Sequence, residues 1–245
     1  MPNPLIWAHR GSVRFAAENT MPAFEQAIRD GADGIEVDLQ RTTDGELVII
    51  HDEQTDRTTG VSGWVYASPW SKLSKLNAAA YRPQLAAAKI PRLSDLLDLV
   101  RSTDLTLNIE LKNGLVLAEG IEKQAWDLVT QFGLQERICF SSFNHYSMRI
   151  MRGISDQAVC GLLYQSGIVD PWLYAQRVGV QALHPHWASL RIPALVENCQ
   201  KAGILINAWT LNNPGRIRTA ANLGINAIIT DKPDLARQIL QLKTE

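Results

Sequence analysis

Short apolar runs alternate along the chain with longer segments whose apolar residues recur at helical spacing. This alternation is typical of repeated βα units that build a parallel sheet, so we expect an α/β fold. The runs predict strands at residues 5–9, 34–40, 46–51, 105–112, 137–143, 158–164, 181–186, 204–210 and 227–231. The segments between them predict helices that include residues 21–30, 93–101, 115–132, 192–202 and 213–223.

The number of these units favours a TIM barrel, the (β/α)8 fold. Eight units in 245 residues take about 31 residues each, close to what one strand, one helix and two loops require. The extra strand is explained by the turn signal Thr43-Asp44-Gly45, which leaves no room for a helix. It predicts that 34–40 and 46–51 pair antiparallel, with Asp38 opposite His51. The pattern leaves open which strand closes the barrel.

Residues 53–91 interrupt the alternation of strands and helices. This segment has no clear strand and carries the aromatic residues Trp64, Tyr66, Trp70 and Tyr81. We expect a small insertion after the third strand that lies over one mouth of the barrel. The whole chain, residues 1–245, is then a single domain that contains this insertion.

Charge and composition narrow the classes of function. The chain has 24 basic and 25 acidic residues, a formal net charge of −1, and the two signs are mixed along it. This balance argues against a nucleic-acid or anionic-membrane surface as the partner. Hydrophobic residues make up 46%, as in an ordinary globular protein. The longest apolar stretches fall far short of the roughly 20 residues that a membrane-spanning helix requires.

Cysteine usage and the N-terminal residues predict a cytoplasmic location. Cys139, Cys160 and Cys199 are odd in number and form no CxxC pair, so we expect reduced, buried thiols. Residues 1–10 lack the basic region and the long apolar region of a secretory signal. These features leave the oligomeric state open.

Polar residues gather at the ends of the predicted strands, where the active sites of barrels form. Side chains two positions apart in a strand point to the same side, so such pairs project together into the mouth. The pairs of this kind are Glu36/Asp38, Glu110/Lys112 and His184/His186. Further polar or aromatic residues at strand ends are His9, Arg10, His51, Trp209 and Thr210.

Taken singly, each of these residues has an ordinary structural interpretation. Glu110 and Lys112 would form an ion pair, and His9 or His51 alone would be a hydrogen-bonded structural histidine. We interpret His145, just past a strand, as structural. Together, however, the charges at one mouth are too many to bury without a functional reason.

The carboxylates Glu36, Asp38 and Glu110 would repel one another unless a cation lies among them. Ligands that are all oxygen favour Mg²⁺ or Ca²⁺ over zinc and do not distinguish between those two ions. Beside such an ion, Arg10 and Lys112 supply positive charge suited to a phosphate or carboxylate substrate.

His9 and His51 add two groups that exchange protons near neutral pH, one available as base and the other as acid. A metal ion, two basic residues and paired histidines together indicate cleavage of a phosphodiester.

An ordered set of short motifs resembles the glycerophosphodiester phosphodiesterase family, from residue 9 to residue 234. A single one of these motifs would be weak evidence, but the ordered set is highly specific. The motifs are His9-Arg10-Gly11, Glu18-Asn19-Thr20, Glu36-Val37-Asp38, His51-Asp52, Ile90-Pro91 followed by Leu93, Glu110-Leu111-Lys112, Trp209-Thr210 and Ile229-Thr230-Asp231-Lys232-Pro233.

The resemblance implies a TIM barrel with a small insertion, and hydrolysis of glycerophosphodiesters such as glycerophosphocholine or glycerophosphoethanolamine to sn-glycerol 3-phosphate and an alcohol. It implies attack on phosphorus by the glycerol 2-hydroxyl, which gives a cyclic phosphate that water opens. It also suggests the cytoplasmic bacterial branch of the family. The residue roles that it implies are metal ligation by Glu36, Asp38 and Glu110, acid-base catalysis by His9 and His51 in an undecided order, phosphate contact by Arg10 and Lys112, substrate contact by His184 and Trp209, and bracing of the first loop by Glu18 and Asn19.

Two other functions stay open from the residues. A Mg²⁺-dependent lyase or isomerase of the enolate type would use the same carboxylates, but it gives no role to Arg10 or the histidines. A catalytically inactive glycerophosphodiester-binding protein would be expected to lack a ligand or a base, and here all are present. The alanine-rich end of the insertion, residues 86–89, departs from many relatives and leaves the head-group pocket undefined.

Overall fold

The structure is a computed structural model that describes residues 3–241, and within them it shows a closed barrel. Eight parallel strands form the barrel, which closes where the first strand pairs with both the second and the last. This confirms the TIM barrel. The strands are β1 Leu5–His9, β2 Gly34–Arg41, β3 Leu47–Ile49, β4 Thr106–Leu111, β5 Ile138–Ser142, β6 Val159–Tyr164, β7 Ala182–Pro185, β8 Leu205–Ala208 and β9 Ala227–Thr230.

The extra strand is β3, which pairs antiparallel with β2 outside the closed ring. The predicted register was wrong by one residue. The backbone carbonyl of Asp38 accepts a hydrogen bond from the backbone N–H of Ile50, at 2.9 Å, so Asp38 lies opposite Ile50 and not opposite His51. The reason is the turn, whose last residue Gly45 has a φ of 89°. Thr42 therefore pairs with Glu46 across a three-residue loop, and the loop length sets the register.

Helices cover the outside of the barrel. They are α1 Met21–Arg29, α4 Leu93–Arg101, α5 Ile121–Gln131, α6 His145–Ile154, α7 Pro171–Val178, α8 Leu195–Lys201, α9 Pro214–Leu223 and α10 Pro233–Gln241, while the insertion holds α2 Asp56–Thr59 and α3 Trp70–Leu73. Short 3-10 helices span Gln135–Arg137 and Trp187–Arg191. None of the helices within residues 3–241 is long and apolar enough to cross a bilayer.

Two predicted helices begin later than expected. The helix predicted at 115–132 starts at Ile121, because residues 115–120 form a loop in which Asn113 accepts the N–H of Ala118 at 2.7 Å. Gly120, with a φ of 79°, ends this loop. The helix predicted at 192–202 starts at Leu195, after Ala194 in the left-handed region. Helical periodicity alone does not distinguish such loops from a first turn.

Helices pack on the barrel through regularly spaced apolar residues. In α4, Leu93, Leu96, Leu97 and Val100 are fully buried against the sheet. Complete burial of a side chain of this size stabilises the fold by about 1.5 to 3 kcal/mol. Interior packing of this kind holds the strand ends, and hence the mouth of the barrel, in place.

The insertion packs against the mouth through its own small core and through polar contacts. Val65 and Leu73 of the insertion are buried with Val48 and Ile50, which flank the end of β3. Arg82 donates hydrogen bonds to backbone carbonyls of the loop between β1 and α1, at 2.6 and 2.7 Å. The insertion thus lies beside the C-terminal ends of β1 and β3.

Candidate active site

Three buried carboxylates meet at the mouth of the barrel. Asp38 on β2 pairs in register with Glu110 on β4, and Glu36 lies two residues before Asp38 on the same side of β2. A carboxylate oxygen from each of the three lies within 4.8 Å of the other two, and all three side chains are buried. We call Glu36, Asp38 and Glu110 the carboxylate trio.

The three carboxyl groups do not share one protonation behaviour. Burial, together with repulsion from Asp38, raises the pKa of Glu36 to about 8 and that of Glu110 to about 7. Burial also opposes ionisation of Asp38, but the charge of Arg10 and of neighbouring basic groups outweighs it and lowers the pKa of Asp38 to about 2. The trio therefore needs added positive charge to ionise fully at neutral pH. Buried carboxylates in that condition fit a hard divalent cation.

Arg10 and Lys112 lie directly against the trio. Arg10 Nε is 3.3 Å from Oδ2 of Asp38, and its backbone N–H donates to Glu36 at 3.0 Å. Lys112 Nζ lies 3.1 Å from Glu110 and 3.7 Å from Asp38. The neighbouring carboxylates outweigh desolvation and raise the pKa of both basic groups, so both stay charged.

His9 and His51 line the same cavity, and each ring is held by a carboxylate. Nδ1 of His9 lies 2.7 Å from Asp231, and Nδ1 of His51 lies 2.6 Å from Asp52. Because an ionised carboxylate only accepts, each Nδ1 carries a proton. Among residues 3–241 no hydrogen bond engages Nε2 of either ring. These nitrogens are the ones available for proton transfer.

The two histidines differ in their electrostatics. Burial lowers the pKa of His9, but the Asp231 hydrogen bond and the charge of Glu36 outweigh it, so the pKa is raised overall. Burial also lowers the pKa of His51. The positive charges of Arg10 and Lys112 act in the same direction, so the pKa of His51 is lowered overall.

Arg57, in α2 of the insertion, connects the surroundings of His51 and Arg10. It donates to both carboxylate oxygens of Glu18, at 2.9 and 2.6 Å, and also to Asp52. Glu18 in turn accepts from Arg10 at 2.8 Å. The bracing role expected for Glu18 fits this arrangement, whereas Arg57 was missed because the sequence pattern placed the insertion over one mouth without indicating which of its residues contact the site.

Both histidines, Arg10, Glu36 and Glu110 border a narrow cavity of about 60 Å³. Its lining residues are His9, Arg10, Glu36, His51, Asn108, Glu110, Phe143, Leu163, Trp209 and Ile229. Oδ1 of Asn108 is buried there without a hydrogen-bond partner in the described part of the chain. A larger cavity of about 610 Å³ lies at the opposite end of the barrel, but it contains none of the trio and neither His9 nor His51. The chemistry, not the size, identifies the site.

Trp209 and His184 lie at different depths. Trp209 lines the cavity and packs edge-on against Phe143, with ring centroids 5.6 Å apart. His184 is fully buried beneath it, accepts from Asn207 at 2.9 Å and supports the Trp209 indole N–H through its backbone carbonyl. The predicted substrate contact by His184 does not fit this position. Barrel interiors fill in layers, so the earlier member of a pair such as His184/His186 lies one layer below the mouth.

The fold and the site together define an enzyme, a (β/α)8-barrel hydrolase of phosphoric diesters whose acidic centre lies beside fixed basic groups. Residues 9–235 match the glycerophosphoryl diester phosphodiesterase family, and the chain belongs to that family. The asparagine Asn19, whose side chain donates to Asp38 at 2.8 Å, lies in one of the motifs on which the resemblance rests.

Individual relatives agree with this assignment. The chain is 40% identical over 231 residues to a glycerophosphodiester phosphodiesterase of Caldanaerobacter subterraneus, covering 94% of this chain and 95% of the relative. It is similar in structure to a glycerophosphodiester phosphodiesterase from Agrobacterium tumefaciens, with a TM-score of 0.84 and 28% identity over 96% of this chain and 99% of that one. An Oleispira antarctica phosphodiesterase in complex with the product sn-glycerol-3-phosphate superposes with a TM-score of 0.89 at 25% identity, covering 98% of this chain and 97% of that one.

Proposed function

We propose that the protein hydrolyses glycerophosphodiesters, such as glycerophosphocholine or glycerophosphoethanolamine, to sn-glycerol 3-phosphate and an alcohol in a metal-dependent reaction. The observation that carries the proposal is one cavity lined by two carboxylate-held histidines, Arg10 and two members of the carboxylate trio, with Asp38 and Lys112 in direct contact with these groups. The product complex of the Oleispira antarctica relative, a protein of the same fold, supports the same substrate class.

Glu36, Asp38 and Glu110 would hold the divalent cation, Mg²⁺ or Ca²⁺. Their three oxygen donors lie close enough to share one ion, and burial together with repulsion from Asp38 raises the pKa of Glu36 and of Glu110, so that a cation would favour their ionised forms. Bound there, a divalent cation would neutralise the trio and withdraw charge from the phosphate oxygens.

Arg10 and Lys112 would bind the phosphate. Both are charged and border the trio, and an arginine fork matches the geometry of phosphate oxygens. Their placement lets them stabilise the charge that builds on phosphorus-bound oxygens during the reaction.

His9 and His51 would act as the acid-base pair. One ring takes the proton of the glycerol 2-hydroxyl as that oxygen bonds to phosphorus, and the other gives a proton to the departing alcohol oxygen as its bond to phosphorus breaks. Water then opens the cyclic phosphate. Asp231 and Asp52 orient the rings through Nδ1, which leaves Nε2 for the transfer.

The partner is a small-molecule substrate, and the chain acts as one domain, residues 1–245, that contains the insertion at 53–91. Cys139, Cys160 and Cys199 are buried and unpaired thiols, which suits the reducing cytoplasm.

The experiment that tests this function measures release of sn-glycerol 3-phosphate from glycerophosphocholine by the purified protein. Excess EDTA should abolish release, and Mg²⁺ or Ca²⁺ should restore it. The variant Asp38→Asn, which keeps the shape of the side chain, should stay inactive at every cation concentration. Full activity in EDTA with no metal detectable in the protein would contradict the role of the trio.

A further inference from the structure

A cluster of cations and aromatic rings borders the cavity on the side of β7 and β8. Its members, the rim cluster, are His186, Trp187, Arg191, Trp209 and Arg216. Arg191 ends the 3-10 helix after β7, and Arg216 lies in the first turn of α9. Both elements follow strand ends at the mouth, so the cluster opens to the same side as the catalytic groups.

The rim cluster is continuous with the cavity. Trp209 lines the cavity, the His186 ring lies 5.4 Å from the Trp209 ring, and the Trp187 ring lies 5.3 Å from that of His186. The guanidinium of Arg216 lies 3.4 Å from the centre of the Trp187 ring, and that of Arg191 lies 5.5 Å from it. A chain of rings therefore leads from the reacting centre to two positive charges.

The charge of the rim cluster is not neutralised. Beside the carboxylate trio, Arg10 and Lys112 are each paired with carboxylates. By contrast, within residues 3–241 no carboxylate lies within ion-pair distance of Arg191 or Arg216, and both side chains are exposed. Burial is the largest cause of the lowered pKa of His186, and the charges of Arg216 and Arg191 lower it further.

We infer that the rim cluster is a subsite for the leaving alcohol of the diester, and that it favours alcohols bearing a carboxylate or a second phosphate. This inference rests on the proposed function. Guanidinium groups form charge-assisted hydrogen bonds with such anions, and stacking on Trp187 orders the Arg216 fork. An aromatic ring also attracts quaternary ammonium groups, but the face of Trp187 is already covered by Arg216, so choline gains nothing there.

The test compares glycerophosphoserine with glycerophosphoethanolamine, whose alcohols differ by one carboxylate. We expect a higher kcat/KM for glycerophosphoserine, by up to about fivefold for each guanidinium, the range of an exposed ion pair. Glycerophosphocholine should resemble glycerophosphoethanolamine. The preference for serine should shrink as NaCl is raised, because exposed charges are screened.

Variants of the rim cluster test whether its guanidinium groups cause the preference for glycerophosphoserine. Arg216→Gln and Arg191→Gln should each lower kcat/KM for glycerophosphoserine and leave glycerophosphoethanolamine unchanged, while Arg216→Lys should keep part of the preference. The matched control is Arg218→Gln, an exposed residue of the same helix that makes no ring contact with Trp187 among the described residues. It should leave every kcat/KM unchanged.

The outcomes separate the subsite from the proposed function. Equal kcat/KM for the serine and ethanolamine substrates in the unmodified protein, or an equal loss on all substrates in Arg216→Gln, would overturn the subsite while hydrolysis stands. No release of sn-glycerol 3-phosphate from any substrate with Mg²⁺ or Ca²⁺ present would overturn both.

Discussion

Replacing Arg57 with methionine should impair catalysis far more than it destabilises the fold. Arg57 holds Glu18 and Asp52 at once, and these two carboxylates contact Arg10 and His51. Without the guanidinium, both carboxylates keep one partner but lose the link that fixes their separation. We therefore treat Arg57 as a positioning residue of the proposed site.

The magnitude follows from exposure and geometry. The Arg57 side chain is 42% exposed, so its ion pairs fall in the solvent-screened range of about 0.2 to 1 kcal/mol each and the free energy of unfolding should fall by only about 1 kcal/mol. A shift of about 1 Å in a catalytic group, by contrast, costs up to about 100-fold in rate. We expect kcat/KM to fall about 10- to 100-fold.

The assay pairs kcat/KM for glycerophosphocholine with urea unfolding. The matched control is Arg92→Met, because Arg92 is 41% exposed and pairs with Asp95 at 2.9 Å outside the site. It should lose similar stability and keep full activity. Arg57→Lys should recover only part of the rate, since a lysine presents one point of charge and no fork. A kcat/KM for Arg57→Met within twofold of the unmodified protein would refute the positioning role.

Three further predictions concern the histidines and the trio. His9→Ala and His51→Ala should each lose about 10²- to 10⁴-fold in turnover while remaining folded by circular dichroism; near-normal rates for both would remove them from the mechanism. Mg²⁺ or Ca²⁺ should raise the Tm, because binding to the folded protein alone adds about 2.7 kcal/mol to the free energy of unfolding at a cation concentration of 100 times the Kd. Asp38→Asn should abolish this rise in Tm, whereas an equal rise in the variant would place the cation elsewhere. Burial lowers the pKa of His184 to about 3, so the unfolded chain binds the extra proton below pH 6.5 and stability is lost as pH falls from there towards 3. His184→Gln should make the slope of unfolding free energy between pH 6 and 4 shallower by about 1.4 kcal/mol per pH unit, and an unchanged slope would contradict a His184 that is neutral when folded.

Strand positions and the meeting of the trio followed from local rules. Alternating runs placed every strand of the barrel close to its observed position, because burial on a parallel sheet imposes a continuous apolar run at each strand. Glu36 and Asp38 share one side of β2 by the two-residue period of a strand, and parallel neighbours end at the same mouth, which brings Glu110 to them.

Local rules failed for contacts between residues far apart in the sequence and for the depth of a side chain inside the barrel. Arg57 lies 39 residues from Glu18, and only the docking of the insertion brings them together. The two-residue period put His184 on the correct side of its strand without showing that it lies a layer below Trp209. The register of β3 depended on one left-handed glycine in a turn.

Side-chain period, turn chemistry and motif order are properties of neighbouring residues, and they were enough to define the fold, the family and the residue types at the mouth. Closure of the barrel by β1, the layer that each inward side chain occupies and the contact of His9 with Asp231 depend on contacts between distant segments. Those contacts form only when the whole core packs, so tertiary structure alone decides which of the charged residues at the mouth share the cavity and which brace it from outside.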